Sequence, residues 1–264
     1  VETDDISTLL RDVAAEVITP RFRSLDSGDV AEKNPGDLVT VADREAEELV
    51  TAVLRRAHPD AVVLGEEATA TDRALLGRYA AAEHAFTVDP VDGTKNFVHG
   101  SPDHAVMVAE LVTGEVVRSW IWQPQHDAMY VAERGAGAFR EHGGRRDRLV
   151  TQPPAGPPAG WDVRTSRRSS VGRPVGEVGA LSLSWVACGV DYPRLVEGAC
   201  DALLYKSTKP WDHAPGQLLL TEAGGVLRHL DGRGYDPRGT HDHWLVAAAD
   251  AATYDVLVTG WDLR

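Results

Sequence analysis

The sequence predicts a mixed fold of interleaved α-helices and β-strands, on three observations. Short apolar strands alternate with amphipathic helices in both halves of the chain. Residues 151–160 (Thr-Gln-Pro-Pro-Ala-Gly-Pro-Pro-Ala-Gly) have the composition of a linker. The length of 264 residues suits one large domain or two closely joined halves. The expected division is 1–150 and 151–264.

The elements follow in order. Ile6, Leu9, Leu10, Val13 and Val17 have helical spacing, which predicts a helix over 5–19 with Pro20 just past its end. Residues 26–37 are rich in Gly, Asp and Pro and read as a loop. From Asp43, the spacing of Ala46, Leu49, Val50, Val53, Leu54 and Ala57 predicts a second helix, ended by His58-Pro59. Ala61–Leu64 reads as a strand running into Gly65-Glu66-Glu67, residues 70–82 as a helix, and Phe86–Val88 as a strand running into Asp89-Pro90. Residues 104–112 and 115–122 form a hairpin around Thr113-Gly114, and a third strand follows at Ala128–Ala132. Beyond the linker, 186–200 reads as a helix interrupted near Pro193, and Pro215–Ala223 as another helix. Strands are expected at Ala202–Tyr205, Val226–Leu230 and Trp244–Ala248.

Composition excludes several classes. Hydrophobic residues at 43% and charged residues at 25% argue against disorder. Lys+Arg 27 against Asp+Glu 40 gives −13, the reverse of a nucleic-acid-binding footprint. No window approaches the roughly 18 uninterrupted apolar residues of a membrane span. The charges at Glu2, Asp4, Asp5, Arg11, Asp12 and Glu16 are unlike a secretory leader. Cys188 and Cys200 make no disulfide framework, so a cytoplasmic setting is expected.

Three acidic clusters stand at the ends of apolar strands. Gly65-Glu66-Glu67 alone reads as a solvated loop. Asp89-Pro90-Val91-Asp92-Gly93-Thr94 is more demanding. Pro90 fixes φ and removes a donor, so the chain turns after the strand, and two carboxylates face one point. Hard divalent cations take several oxygen ligands, and the Val91 carbonyl can add one. Gly93 allows close approach, and a helix starting at Thr94 offers free amides to a phosphate. An Asp-capped turn is the plainer alternative. The spacing is D-x-x-D-G-T, not the D-x-D-G-T of haloacid-dehalogenase-type phosphatases, and one residue reverses a side chain's face in an extended segment. In the third cluster, Lys209 to Gly216, Asp212 is placed like an N-cap with Pro215 in the first turn.

Together these segments resemble the inositol monophosphatases, within the wider group of lithium-sensitive, Mg²⁺-dependent phosphatases. The matching pieces are Asp37-Leu38-Val39-Thr40 with Asp43, Gly65-Glu66-Glu67, Asp89–Gly100, and Trp211-Asp212 through Gly225. They run in the family's order over nearly the whole chain.

The resemblance implies a layered αβαβα sandwich of the α+β or α/β class, with two or three Mg²⁺ ions between its halves. The N-terminal half then carries most metal ligands, and the C-terminal half carries Asp212 and substrate contacts. Glu66, Asp89 and the Val91 carbonyl should hold the first Mg²⁺. Asp89, Asp92 and Asp212 should hold the second, with Glu66 supporting a weaker third. The nucleophile is a water activated by the first metal. Thr94 orients it, Asp43 accepts the Thr94 proton, and Glu67 acts from behind the ligands. Phosphate sits on the metals and on the amides of Gly93 and Thr94. Substrate contacts are implied for Asp92, Asp212, Ala187, Cys188 and Tyr205.

The substrate end departs from the family. Its small-residue segment falls on Val186-Ala187-Cys188-Gly189, and Gly198 and Asp201 match its G-x-x-D. The Glu that binds ring hydroxyls in inositol-specific members is Tyr205 here, a phenol in place of a carboxylate. His213 reads as packing beside a ligand, His241 and His243 as a surface loop, and Cys188 as a buried small residue. Lys33 stands near the family's mobile metal-binding loop, where it could balance charge. The expected protein is a Mg²⁺-dependent phosphomonoesterase and a homodimer. Its substrate is a small polyol or sugar-like phosphate, by default inositol 1-phosphate. Histidinol phosphate, adenosine 3′,5′-bisphosphate and fructose 1,6-bisphosphate are alternatives. No nucleic-acid or membrane partner is expected. A catalytically idle binding protein is the reading of another class, but it gives no reason to keep so many like charges together.

Overall fold

The computed structural model describes residues 2–26 and 28–262. Helix α1 (Thr3–Val13) continues through a π-type stretch (Ala14–Ile18) and a 3-10 turn (Thr19–Arg21) that contains Pro20. Strands β1 (Val30–Asn34) and β2 (Asp37–Thr40) form an antiparallel ribbon, which corrects the loop read over 26–37. Most of β1 faces solvent, so it has no apolar alternation to read. Helix α2 (Val41–Ala57) begins at a capping box in which Thr40 and Asp43 bond each other's backbone amides.

Strand β3 (Val62–Gly65), α3 (Glu66–Thr71) and α4 (Ala74–Ala81) follow. The single helix read over 70–82 is two, because Asp72 Oδ1 accepts the Ala74 amide at 3.0 Å and restarts the winding. Then come β4 (His84–Asp92), α5 (Thr94–Val98), β5 (Ala105–Val112), β6 (Glu115–Gln123), β7 (Ala128–Glu133), β8 (Gly137–His142) and β9 (Arg145–Leu149). The second half holds β10 (Val163–Thr165), β11 (Ser182–Leu183), α6 (Cys188–Val196), β12 (Ala202–Thr208), α7 (Pro210–Glu222), β13 (Val226–His229), β14 (His241–Ala248) and α8 (Ala251–Thr259).

Strands β3 to β9 form a seven-stranded sheet in chain order, parallel only between β3 and β4. The second sheet has five strands in the order β11-β10-β12-β14-β13. Along β5, Ala105, Met107, Ala109 and Leu111 enter one core cluster, while Val106 and Val108 enter another. That alternation of two apolar faces requires cover on both sides. Helices α1 and α2 cover the outer face, and α6 and α7 fill the space between the sheets. Helix α8 packs outside the second sheet, against β14. The layers therefore read α–β–α–β–α.

Other boundaries are also corrected. Strand β9 shows no apolar alternation because it is an exposed edge rich in arginine, a common way to blunt a sheet edge; β8 pairs between it and β7. Helix α8 went unread although Asp250 caps it through the Thr253 amide. His241 and His243 open β14 instead of lying in a loop. Helix α7 starts at Pro210, with Lys209 as its N-cap, so Asp212 lies inside the first turn and is not the cap. In α6, Pro193 lacks the amide that would reach Gly189 O four residues back. Gln123 Nε2 bonds that carbonyl instead, at 2.7 Å.

Candidate active site

The site forms where three carboxylates from both halves meet. Asp89 and Asp92 lie at the end of β4, where register against β5 slips: Asp89 pairs Met107 and Asp92 pairs Ala105. The extra residue is a bulge at Pro90–Val91, where proline cannot join the ladder. In a regular strand, residues three apart point to opposite faces. The bulge turns Asp92 back beside Asp89. From α7, Asp212 joins them, and one oxygen from each of the three lies within 4.8 Å of the others.

Each arm is held in place. The Asp92 carboxylate accepts the Cys188 amide at 3.1 Å and the Gly189 amide at 2.7 Å, which ties β4 to the start of α6. Gly93 has φ +81°, and a Cβ there would lie 2.8 Å from that of Ala187, so this turn needs glycine twice over. Thr94 Oγ1 lies 2.9 Å from Asp43 Oδ1 and 3.0 Å from the Val91 carbonyl. Asp43 Oδ2 accepts both the amide and the hydroxyl of Thr40.

Glu66 and Glu67 open α3. They share Lys33 of β1, whose Nζ stands 2.8 Å from Glu66 Oε1 and 2.7 Å from Glu67 Oε1. Burial pulls the Lys33 pKa down, but the two glutamates outweigh it and leave it raised. Glu66 is outside the group of three, yet it is close enough to raise the Asp89 pKa.

Electrostatically, the cluster is a set of charges awaiting neutralisation. Burial, then Glu66, holds the Asp89 carboxyl well above its ordinary range. Burial, then Asp212, does the same for Asp92. Asp212 is raised to about 7 by burial, against the pull of Lys209. Asp43 is raised to about 6 by burial, partly offset by its Thr40 and Thr94 bonds. Asp89 Oδ1 is buried without a hydrogen-bond partner. A bare buried carboxylate oxygen is costly, and hard oxygen donors at this density suit a divalent cation. The donor set fits the expected metal.

A cavity of about 180 Å³ opens beside the cluster, lined among others by Asp92, Ala187, Cys188, Tyr205, Asp212 and His213. Tyr205 is only 3% exposed. Its hydroxyl donates to Asp191 Oδ2 at 3.2 Å, and Asp191 Oδ1 accepts the Trp185 amide at 2.8 Å. Val186, between Trp185 and Ala187, has φ +60°, a strained conformation for a β-branched residue. His213 is buried, bonds Tyr192 through Nδ1 at 2.8 Å, and has its pKa lowered to about 3 by burial. Cys188 is half-buried, and both cysteines are free. Asp201 holds the Asp162 amide at the entry to β10. A larger cavity, about 790 Å³, lies on the Glu66 side, with Lys33, Lys209 and Trp211 in its wall.

Two participants had escaped sequence reasoning. Asp191 holds the Tyr205 hydroxyl from α6. Glu47 is a buried α2 carboxylate that accepts the amides of Glu67 and Ala68. Its signal was present, since Asp43 and Glu47 fall on the same helical stripe as Ala46, Val50 and Leu54.

The model of the "Inositol monophosphatase family" matches residues 2–259. An inositol-1-monophosphatase of Mesorhizobium japonicum is 33% identical, over 83% of this chain and 82% of its own. The Nus factor SuhB of Pseudomonas aeruginosa is 32% identical over the same shares. Among solved structures, an IMPase/NADP phosphatase complexed with Mg²⁺ and phosphate has a TM-score of 0.75 at 21% identity, covering 99% of both chains.

Proposed function

The chain belongs to the inositol monophosphatase family and is a phosphoric monoester hydrolase, and from that premise we propose that it is a Mg²⁺-dependent phosphatase of a small polyol phosphate such as inositol 1-phosphate. The observation that carries this reading is the meeting of Asp89, Asp92 and Asp212 around a buried, unpartnered Asp89 oxygen, next to the Thr94–Asp43 pair.

Asp89 and Asp212 with Asp92, and Asp89 with Glu66 and the Val91 carbonyl, are the groups that would hold two cations, and Glu66 would serve a third. Cations held there would supply charge neutralisation for the phosphate and lower the pKa of a water. With its proton on the Asp43 side, the Thr94 oxygen is free to accept a hydrogen bond from the attacking water and aim it at phosphorus. Asp43 holds that orientation and has a pKa near 6 with which to draw the proton along. Glu67 keeps Lys33 at the edge of the site. The Gly93 and Thr94 amides are the backbone donors that would hold the phosphate. Attack in line would form one P–O bond as the ester P–O bond breaks, and the departing alkoxide would take a proton from solvent and leave as the alcohol, so phosphorus inverts and no residue is phosphorylated.

Ala187, Cys188 and Tyr205 line the cavity beside the cluster, where the leaving group would sit. Because Tyr205 replaces a carboxylate and its hydroxyl faces Asp191, we propose that inositol 1-phosphate is not hydrolysed exclusively. A cytoplasmic homodimer completes the reading; the free cysteines agree with a reducing compartment, and the dimer rests on the family alone. A panel of inositol, sugar, histidinol and nucleotide phosphates with Mg²⁺ tests the function. Turnover of several polyol or sugar phosphates is expected, and turnover of none would refute it.

A further inference from the structure

Asp43 and Glu47 stand four residues apart on α2 and face the same way. They are buried to 1% and 5% exposure. Asp43 reaches the β4–α5 turn through Thr94. Glu47 reaches the other arm of the site: its Oε2 accepts the Glu67 amide at 2.7 Å and its Oε1 the Ala68 amide at 2.8 Å. Helix α3 has no side-chain cap of its own at Gly65. Gly65 leaves the room this clamp needs, since a Cβ there would lie 2.2 Å from the Glu47 carboxyl carbon. A carboxylate in such a place is costly unless its oxygens are bonded, and a local Ser or Asp cap would serve α3 without burying a charge from another helix. The distant clamp therefore does something a local cap cannot: it fixes where α3 sits relative to α2.

We propose that Glu47 is a positioning residue for the cation-binding arm. It clamps the start of α3 to the same helix that holds Thr94, which keeps Glu66 and Glu67 in register with Asp89, Asp92 and Asp212. It touches neither substrate nor cation. Lys33 cannot do this work once cations are present, because it comes from an exposed ribbon and competes with them for the glutamate oxygens. The Glu47 bonds run to backbone amides and so occupy none of the Glu66 or Glu67 side-chain oxygens.

This rests on the cation-dependent reading of the site. The test is calorimetric titration with Mg²⁺ alone, alongside thermal melting, for the wild type, Glu47→Ala, Glu47→Gln, Gly65→Ala and the double variant Glu47→Ala/Gly65→Ala. Folded Glu47→Ala should bind Mg²⁺ roughly 10- to 100-fold more weakly, and Glu47→Gln, which keeps one acceptor, should fall between. Gly65→Ala should lower both the melting temperature and the affinity. Adding Glu47→Ala to it removes the clash, so the melting temperature recovers while the affinity stays low. A purely structural Glu47 would leave the affinity of the folded protein unmoved. Wild-type affinity in folded Glu47→Ala or Glu47→Gln overturns this proposal alone. A wild type that binds no Mg²⁺ overturns the cation reading and this proposal with it.

Discussion

Thr94 Oγ1 stands 2.9 Å from Asp43 Oδ1, and the other Asp43 oxygen is already held by Thr40. The acceptor is thus aimed before substrate arrives, and the Thr94 lone pairs are left for a water. Thr94→Ala should lower kcat by roughly 10²-fold, the scale of a misplaced reactant, with KM little changed. Thr94→Ser should retain most of the rate. Steady-state kinetics on the three proteins checks this. A large rise in KM with kcat intact would mean that Thr94 binds substrate instead.

Asp89→Asn should reduce turnover by several orders of magnitude, because in the proposed arrangement Asp89 serves both principal cation sites. It also removes a charge from a cluster of like charges. In chelator its melting temperature should therefore be above that of the wild type, and Mg²⁺ should stabilise it far less. Melting curves with and without Mg²⁺ give both readings.

Much of this was legible because a few residue types admit few conformations. Pro90, the paired aspartates and Gly93 marked the site, and the apolar spacing of α2 and of the β5–β6 hairpin marked the layers. What stayed hidden is where tertiary placement overrides local pattern. The β1–β2 ribbon and β9 are exposed, so no alternation records them. The bulge at Pro90–Val91 is visible only as a slip against β5. By local pattern Glu47 is one more charge on an amphipathic helix, although its place on the buried stripe separates it from Glu45 and Glu48.

Tyr205 gives a selectivity prediction. A glutamate there would lie beside buried Asp191, whose carboxyl is already raised to about 7 by burial. Tyr205→Glu is therefore best paired with Asp191→Asn. The double variant should raise kcat/KM for inositol 1-phosphate relative to other substrates, because a site offering an acceptor to a ring hydroxyl discriminates better. Competition assays between inositol 1-phosphate and a sugar phosphate measure the ratio. A strong, exclusive preference of the wild type for inositol 1-phosphate would refute the Tyr205 argument.

The buried carboxylates predict a pH dependence of definite sign. Burial raises Glu47, Asp191 and Asp212 to about 7, and Asp89 and Asp92 well above their ordinary range. Such acids hold their protons more tightly folded than unfolded, so stability falls as pH climbs through the raised values. His104 and His213, lowered to about 4 and about 3 by burial, act in the opposite sense, but only below the unfolded histidine value of about 6.5. From about pH 6.5 to about pH 8 the carboxylates dominate. Melting temperature in chelator should fall across that interval, and added Mg²⁺ should remove much of the fall. A flat profile in chelator would contradict the assignment of a charged, cation-seeking cluster.

The most direct measurement is phosphate release from inositol 1-phosphate and the other small esters with Mg²⁺, after exhaustive chelation, and after Mg²⁺ is restored. Release with Mg²⁺, its loss on chelation and its full recovery are the predicted results. Unchanged release in chelator, or no release from any ester with Mg²⁺ present, would contradict the account.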